Sequence, residues 1–119
     1  MRDNILRDKS FAFALRVVRL HKFLGARQEY VLSKQLLRCG TSVGAMVRES
    51  EHAQTKADFI HKLAVAQKEI NESLYWLELL TATEYLTDKQ VASIHHDALE
   101  LLKLLTSSLK TAKMNANTH

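Results

Sequence analysis

Apolar residues recur every three or four positions along four stretches of the chain, and no stretch shows the strict alternation typical of a strand. Gly25 is a natural stop for the first stretch, while Thr55 and Thr87 are suited to cap the starts of the third and fourth. The predicted helices span residues 8–24, 31–52, 55–83 and 87–112, with an earlier turn over residues 3–7 left open, and we expect the tail 113–119 to fray. Because short connections join these segments, the pattern predicts an all-α fold, a single-domain antiparallel up-down-up-down four-helix bundle.

The first helix carries two apolar stripes, although one stripe is enough to pack a helix into a bundle. One stripe contains Phe11, Leu15 and Val18. The other contains Phe13, Val17, Leu20 and Leu24. We interpret the second set as a subunit interface of a homo-oligomer. The predicted interface also includes two aromatic residues of the third helix that lie outside its main apolar stripe, Tyr75 and Trp76.

The middle of the second helix contains two glycines, Gly40 and Gly44, each of which costs about 1 kcal/mol relative to alanine in a helix. A break at this point is an alternative, but a continuous helix is favoured because the apolar period runs through without slipping. Glycines four residues apart would also let a neighbouring helix approach closely. The same stretch matches the G-x-S-x-G hydrolase motif, yet its helical context argues against Ser42 as a nucleophile.

Composition narrows the class of protein further. Three glycines and no proline disfavour a fold rich in β-turns, and a single cysteine excludes a disulfide framework and fits a reducing compartment. The longest stretch without a charge, residues 39–47, has nine residues, which is too short to span a bilayer. The N-terminal residues mix both signs of charge and lack the apolar region of a signal peptide. We therefore expect a soluble, cytoplasmic domain.

Basic residues are concentrated in the first third of the chain. Residues 1–38 contain nine lysines and arginines against three acidic residues, whereas the remainder contains eight basic and ten acidic residues. This asymmetry predicts a polyanion-binding surface that contacts phosphates without reading sequence, the alternative being a merely solvated helix face. No platform of aromatic residues for stacking bases is evident. The predicted nucleic-acid-binding residues are Lys9, Arg16, Arg19, Lys22, Lys34 and Arg38.

Two short motifs have the residue types and spacing of metal ligands. Glu49-x-x-His52 and Asp58-x-x-His61 each place a carboxylate and an imidazole on one helical face. Di-iron bundles use such pairs in mid-bundle together with two further glutamates, whereas these pairs fall at the ends of their helices. We expect solvated helix ends, no metal, no cofactor and no catalytic set, and therefore a protein that is not an enzyme.

The stretch 32–50, with its Q-L-x-R-x-x-x-S-x-G-A core, resembles the 23S rRNA-intervening sequence protein family. Asp58-Phe59 and Tyr75-Trp76-Leu77 extend the resemblance, which covers residues 8–112. Cys39 and Met46 are departures, since small residues and asparagine are usual there.

The resemblance implies a small bacterial protein, often encoded within a sequence inserted into 23S rRNA genes, that forms a ring-like homopentamer and has no established catalytic residues. A relative is the accessory subunit of diversity-generating retroelements, where a basic bundle binds nucleic acid and a reverse transcriptase. Charge and resemblance together predict an oligomer whose basic face binds structured RNA, such as rRNA, or a ribonucleoprotein. The alternative is a protein-interaction scaffold with no direct nucleic-acid role.

Overall fold

A computed structural model describes the backbone of residues 2–117 and the side chains of residues 5–116. Its helices are α1 (Arg2–Ala26), α2 (Val31–Ser50), α3 (Lys56–Ala82) and α4 (Asp88–Asn117), and the described residues contain no strand. The all-α prediction is confirmed. The earlier turn over residues 3–7 is present, because α1 begins at Arg2, whereas one predicted bound is wrong, because α4 continues through residues 113–117, which were expected to fray. Residues 118 and 119 of the predicted tail lie outside the described residues.

The predicted caps of the last two helices are present. The Thr55 hydroxyl accepts a hydrogen bond from the Asp58 backbone N–H at 3.0 Å. At α4, the Thr87 hydroxyl accepts from the Gln90 N–H at 3.1 Å, and the Gln90 amide oxygen accepts from the Thr87 N–H at 2.9 Å. These bonds satisfy backbone donors that have no partner within the helix, so the short polar sequences before α3 and α4 define where each helix starts.

Side-chain contacts show that neighbouring helices run antiparallel, because residue numbers rise along one helix while those of their partners fall along the next. Four helices arranged in this way form an up-down-up-down bundle, with overall dimensions of 52 × 22 × 21 Å. The pairs that establish the directions are His21–Ser33 and Ser10–Gly44 for α1 and α2, Cys39–Ser73 and Glu49–Lys62 for α2 and α3, Gln67–Thr106 and Glu78–His95 for α3 and α4, and Lys9–Glu100 and Arg16–Asp97 for α1 and α4.

The two glycines of α2 let α1 approach closely, as predicted, and α2 is continuous through both of them. A β-carbon on Gly40 would lie 2.8 Å and 2.9 Å from the two Cγ atoms of Val17, and one on Gly44 would lie 3.4 Å from the Ser10 carbonyl oxygen. The surface of α1 that carries Ser10 and Val17 therefore packs directly on α2.

This packing determines which stripe of α1 enters the core. Phe13 is 1% exposed, and Val17 and Leu24 are fully buried, whereas Phe11 is 52% and Leu15 is 42% exposed. The interface prediction is thus wrong for Phe13, Val17 and Leu24, which stabilise their own subunit. Leu20, from the same predicted set, is half-buried and packs against the core as well.

Replacing Gly40 with alanine is expected to lower the free energy of unfolding by about 1–2 kcal/mol. Overpacking typically costs about 1–3 kcal/mol, and the 2.8 Å contact with Val17 places this site in the upper part of that range, above the gain of about 1 kcal/mol in helix propensity. Val17 cannot readily move aside, because its β-branched side chain is stiff and fully buried. Urea denaturation followed by far-UV circular dichroism measures the change.

Gly44→Ala in the same helix is the matched control, since its new β-carbon would meet only a 3.4 Å contact. We expect this variant to be as stable as the wild type or up to about 1 kcal/mol more stable. Equal stability of the two variants would show that Val17 does not hold α1 against Gly40.

Candidate nucleic-acid interface

Two of the predicted RNA-binding cations on α1 are neutralised by carboxylates of α4. The Lys9 Nζ atom lies 3.1 Å from a Glu100 carboxylate oxygen. The Arg16 guanidinium lies 2.6 Å from an Asp97 carboxylate oxygen and donates to the Ser93 hydroxyl at 3.0 Å. Lys9 and Arg16 therefore join α1 to α4, and phosphate contacts would have to displace these partners.

Arg38 on α2 belongs to a polar cluster with α3. Its two terminal nitrogens lie 3.3 Å from a Glu69 carboxylate oxygen and 2.5 Å from one of Glu72. The same Glu72 oxygen accepts a hydrogen bond from the Trp76 indole N–H at 2.9 Å. The Trp76 hydrogen bond and the Arg38 guanidinium lower the pKa of Glu72, so its carboxylate stays charged and keeps Arg38 paired.

The other three predicted cations, Arg19, Lys22 and Lys34, are exposed and have no acidic partner among the side chains described. Arg19 and Lys22 lie in the C-terminal half of α1, and Lys34 lies in the first turn of α2, directly after the connection between the two helices. We call these three residues the cationic surface. Unpaired cations can neutralise phosphates without first breaking an ion pair, and this gives RNA binding its dependence on salt.

Exposed aromatic residues lie at the end of the bundle where α1 connects to α2 and α3 connects to α4. The Arg27 guanidinium carbon stands 5.4 Å from the centroid of the Phe23 ring. An Arg27 nitrogen donates to the Tyr85 carbonyl oxygen at 3.2 Å, across a separation of 58 residues. Phe23, Tyr30 and Tyr85 are 41%, 59% and 41% exposed, and with Arg27 they form what we call the aromatic end.

This grouping differs from the sequence prediction, which found no aromatic platform. Phe23, Arg27 and Tyr30 are close in sequence, and a spacing that alternates aromatic and basic residues at a helix end was the available signal. Tyr85 carried no such signal, because only the packing of the α3–α4 connection against α1 brings it near.

Among residues 5–116, no group of three or more His, Cys, Asp or Glu side chains could hold a metal ion. Glu49, one of the candidate ligands, pairs with Lys62 at 3.1 Å. Ser42 lies within α2, whereas its motif requires a strand-to-helix turn, and the described residues contain no strand. Burial raises the pKa of the Cys39 thiol, which accepts a hydrogen bond from Ser73, and a thiol of this kind is a poor nucleophile.

No helix in the described part of the chain has the length and apolar character needed to cross a membrane.

These features define an all-α protein, a four-helix bundle with exposed, unpaired cations and aromatic side chains at one end. A profile of the 23S rRNA-intervening sequence proteins matches residues 2–107, and the chain belongs to that family.

One solved structure, from Bacteroides thetaiotaomicron VPI-5482, is 56% identical in sequence and superposes with a TM-score of 0.90, covering 92% of this chain and 99% of its own. It is described as a protein of unknown function from the S23 ribosomal protein family. No curated protein matches the chain.

Proposed function

We propose that the protein is a non-enzymatic homo-oligomer that binds structured RNA, in an rRNA-associated or ribonucleoprotein setting. The observation that carries the proposal is the cationic surface, where Arg19, Lys22 and Lys34 stand exposed with no carboxylate partner among the side chains of residues 5–116, while the other predicted cations are paired. The family description associates these proteins with 23S rRNA, which is consistent with RNA as the class of ligand. Because the contacts are to phosphates, the binding would depend on the shape of the RNA more than on its sequence.

An exposed apolar row on α1 supports the homo-oligomer. Phe11 and Leu15 are exposed, and Val18 is half-buried one turn further along the same side of the helix. An apolar row of this kind is typical of an interaction site, and a second copy of the chain is the occupant that the family resemblance implies, in a pentamer. This row replaces Phe13, Val17 and Leu24 as the proposed interface on α1. Tyr75, which is 56% exposed, and the half-buried Trp76 remain proposed interface residues on α3.

A protein-interaction scaffold is the second candidate function, because the row of Phe11 and Leu15 suits a different protein as well as a second copy. In that case the positive charge would serve solubility alone. Capture of a defined partner protein that persists after nuclease treatment and in high salt, without any RNA affinity of the purified protein, would favour the scaffold.

The double variant Arg19→Glu/Lys22→Glu is expected to bind structured RNA about tenfold more weakly at ~100 mM salt, because two phosphate contacts become repulsive. The slope of log affinity against log salt should become shallower by about two contacts. Fluorescence anisotropy with a labelled stem-loop RNA measures both quantities.

Lys103→Glu/Lys110→Glu on α4 is the control, since these lysines are exposed, lack an acidic partner among the described residues and give the same change in net charge. We expect this control to retain most of the wild-type affinity. If both double variants lost affinity equally, binding would follow net charge and the cationic surface would not be the site.

A further inference from the structure

The aromatic end is built by two chain connections that contact each other. Arg27 links them, because its guanidinium lies against Phe23 of α1 and donates to the backbone of Tyr85 between α3 and α4. The α1–α2 connection is held by Glu29, whose buried carboxylate accepts hydrogen bonds from the Leu32 and Ser33 N–H groups at 3.1 Å and 2.7 Å. The Tyr30 and Tyr85 rings are therefore carried on connections that are anchored to the bundle, and the Phe23 ring is carried on α1 itself.

Three exposed aromatic rings at one end of the bundle offer a candidate binding surface, since grouped apolar surface marks interaction sites. The Tyr30 ring packs beside Gly25, since a β-carbon added to that glycine would lie 3.4 Å from the Tyr30 Cε1 atom. The side chain is nevertheless 59% exposed. Tyr85 is also exposed, although the next residue, Leu86, is buried and anchors the connection.

The charges around these rings favour a polyanion as that occupant. Lys22 and Lys34 flank the α1–α2 connection, and the Arg27 guanidinium lies against the Phe23 ring. The exposed carboxylates at this end belong to Glu84 and Asp88, whereas the Glu29 carboxylate is buried and accepts hydrogen bonds from backbone N–H groups. Alternation of cations with exposed aromatic rings is the arrangement with which proteins bind single-stranded nucleic acid, since bases stack on the rings while the phosphates meet the cations.

We infer that the aromatic end binds unpaired bases of single-stranded RNA, with Tyr30 and Tyr85 as stacking surfaces and Lys22 and Lys34 contacting the adjacent phosphates. This inference rests on the proposed function and deepens it. The RNA selected would carry an unpaired segment, such as a loop or an end, next to a helical region. Sequence preference would be weak, because every base offers a face for stacking.

The test compares two probes, an oligouridine of about ten nucleotides, which covers a typical single-strand site, and a blunt RNA duplex. Tyr30→Leu/Tyr85→Leu is expected to weaken oligouridine binding about tenfold or more, because each stacked base contributes strongly, and to leave duplex binding within about twofold. An oligonucleotide with one 2-aminopurine should lose fluorescence on binding the wild type and retain it with the variant.

Met114→Leu is the control, since Met114 is 60% exposed, close to the 59% of Tyr30, but lies near the C-terminal end of α4, at the opposite end of the bundle from the aromatic end. It should bind oligouridine as the wild type does, and far-UV circular dichroism checks that every variant is folded. Unchanged oligouridine affinity in the Tyr30→Leu/Tyr85→Leu variant would overturn the inference. So would a wild-type protein that binds the duplex but not oligouridine, and that second result would leave the proposed function standing. If the wild type bound neither probe nor a stem-loop RNA, the proposed function itself would fail.

Discussion

Replacing Phe13 with alanine is expected to lower the free energy of unfolding by about 3–5 kcal/mol, the cost of emptying a buried aromatic site in a close-packed core. Phe13 is 1% exposed, and its neighbours belong to the core that all four helices share. Phe11→Ala should cost less than about 1 kcal/mol in the isolated subunit, mainly because it removes the cation–π contact between the Phe11 ring and the Arg48 guanidinium, which lies 5.5 Å from the ring centroid.

The comparison is informative because both variants make the same chemical change two residues apart in α1, so the change in helix propensity cancels between them. Urea denaturation monitored by Trp76 fluorescence and far-UV circular dichroism gives the two free energies, at a concentration where assembly does not contribute. A loss in Phe11→Ala as large as that in Phe13→Ala would mean that the core and exposed stripes of α1 are assigned the wrong way round.

Leu15→Glu is expected to raise the concentration at which subunits dissociate by about 100-fold or more, because it places a carboxylate in a proposed apolar interface. The subunit itself should remain folded, since Leu15 is already 42% exposed within it. Sedimentation velocity over a dilution series measures the change, and far-UV circular dichroism confirms that the helices persist.

Leu99→Glu on α4 serves as the control for this experiment, because Leu99 is 39% exposed and lies on a different side of the bundle. It should assemble as the wild type does. Dissociation by Leu99→Glu but not by Leu15→Glu would move the interface to α4, and a wild type that is monomeric at all concentrations would remove the oligomer from the proposal.

The helices could be predicted from the sequence because their signals are local. Capping residues such as Thr55 and Thr87 act within three residues of themselves, and the apolar period of α2 is visible across Gly40 and Gly44. The outer bounds were less accurate, since the first turn of α1 and the last of α4 carry no comparable stop or start signal.

The stripe of α1 that enters the core could not be read from α1 alone, because both stripes are apolar and have helical spacing. The choice is made by the register between two helices, which brings Val17 to Gly40 and the Ser10 backbone to Gly44. The spacing of the two glycines predicts that a neighbouring helix approaches closely there, but it does not indicate which residues of that helix make the contact.

The candidate site was predictable only in part for the same physical reason. Lys9 finds its carboxylate 91 residues away and Arg16 finds one 81 residues away, so a count of charges along the chain cannot show that they are neutralised. Tyr85 likewise reaches α1 only when the two connections pack together, through a hydrogen bond to Arg27 across a separation of 58 residues.

That the protein binds RNA through phosphate contacts is tested most directly by titrating the purified wild type into a labelled stem-loop RNA between ~50 and ~300 mM salt. We predict measurable binding at the low-salt end and a log-log slope of about −2 or steeper, since each neutralised phosphate contributes about −0.7 to −0.9 and the cationic surface offers three contacts per subunit. Absence of binding at ~50 mM salt, or binding whose affinity does not change with salt, would contradict the proposal.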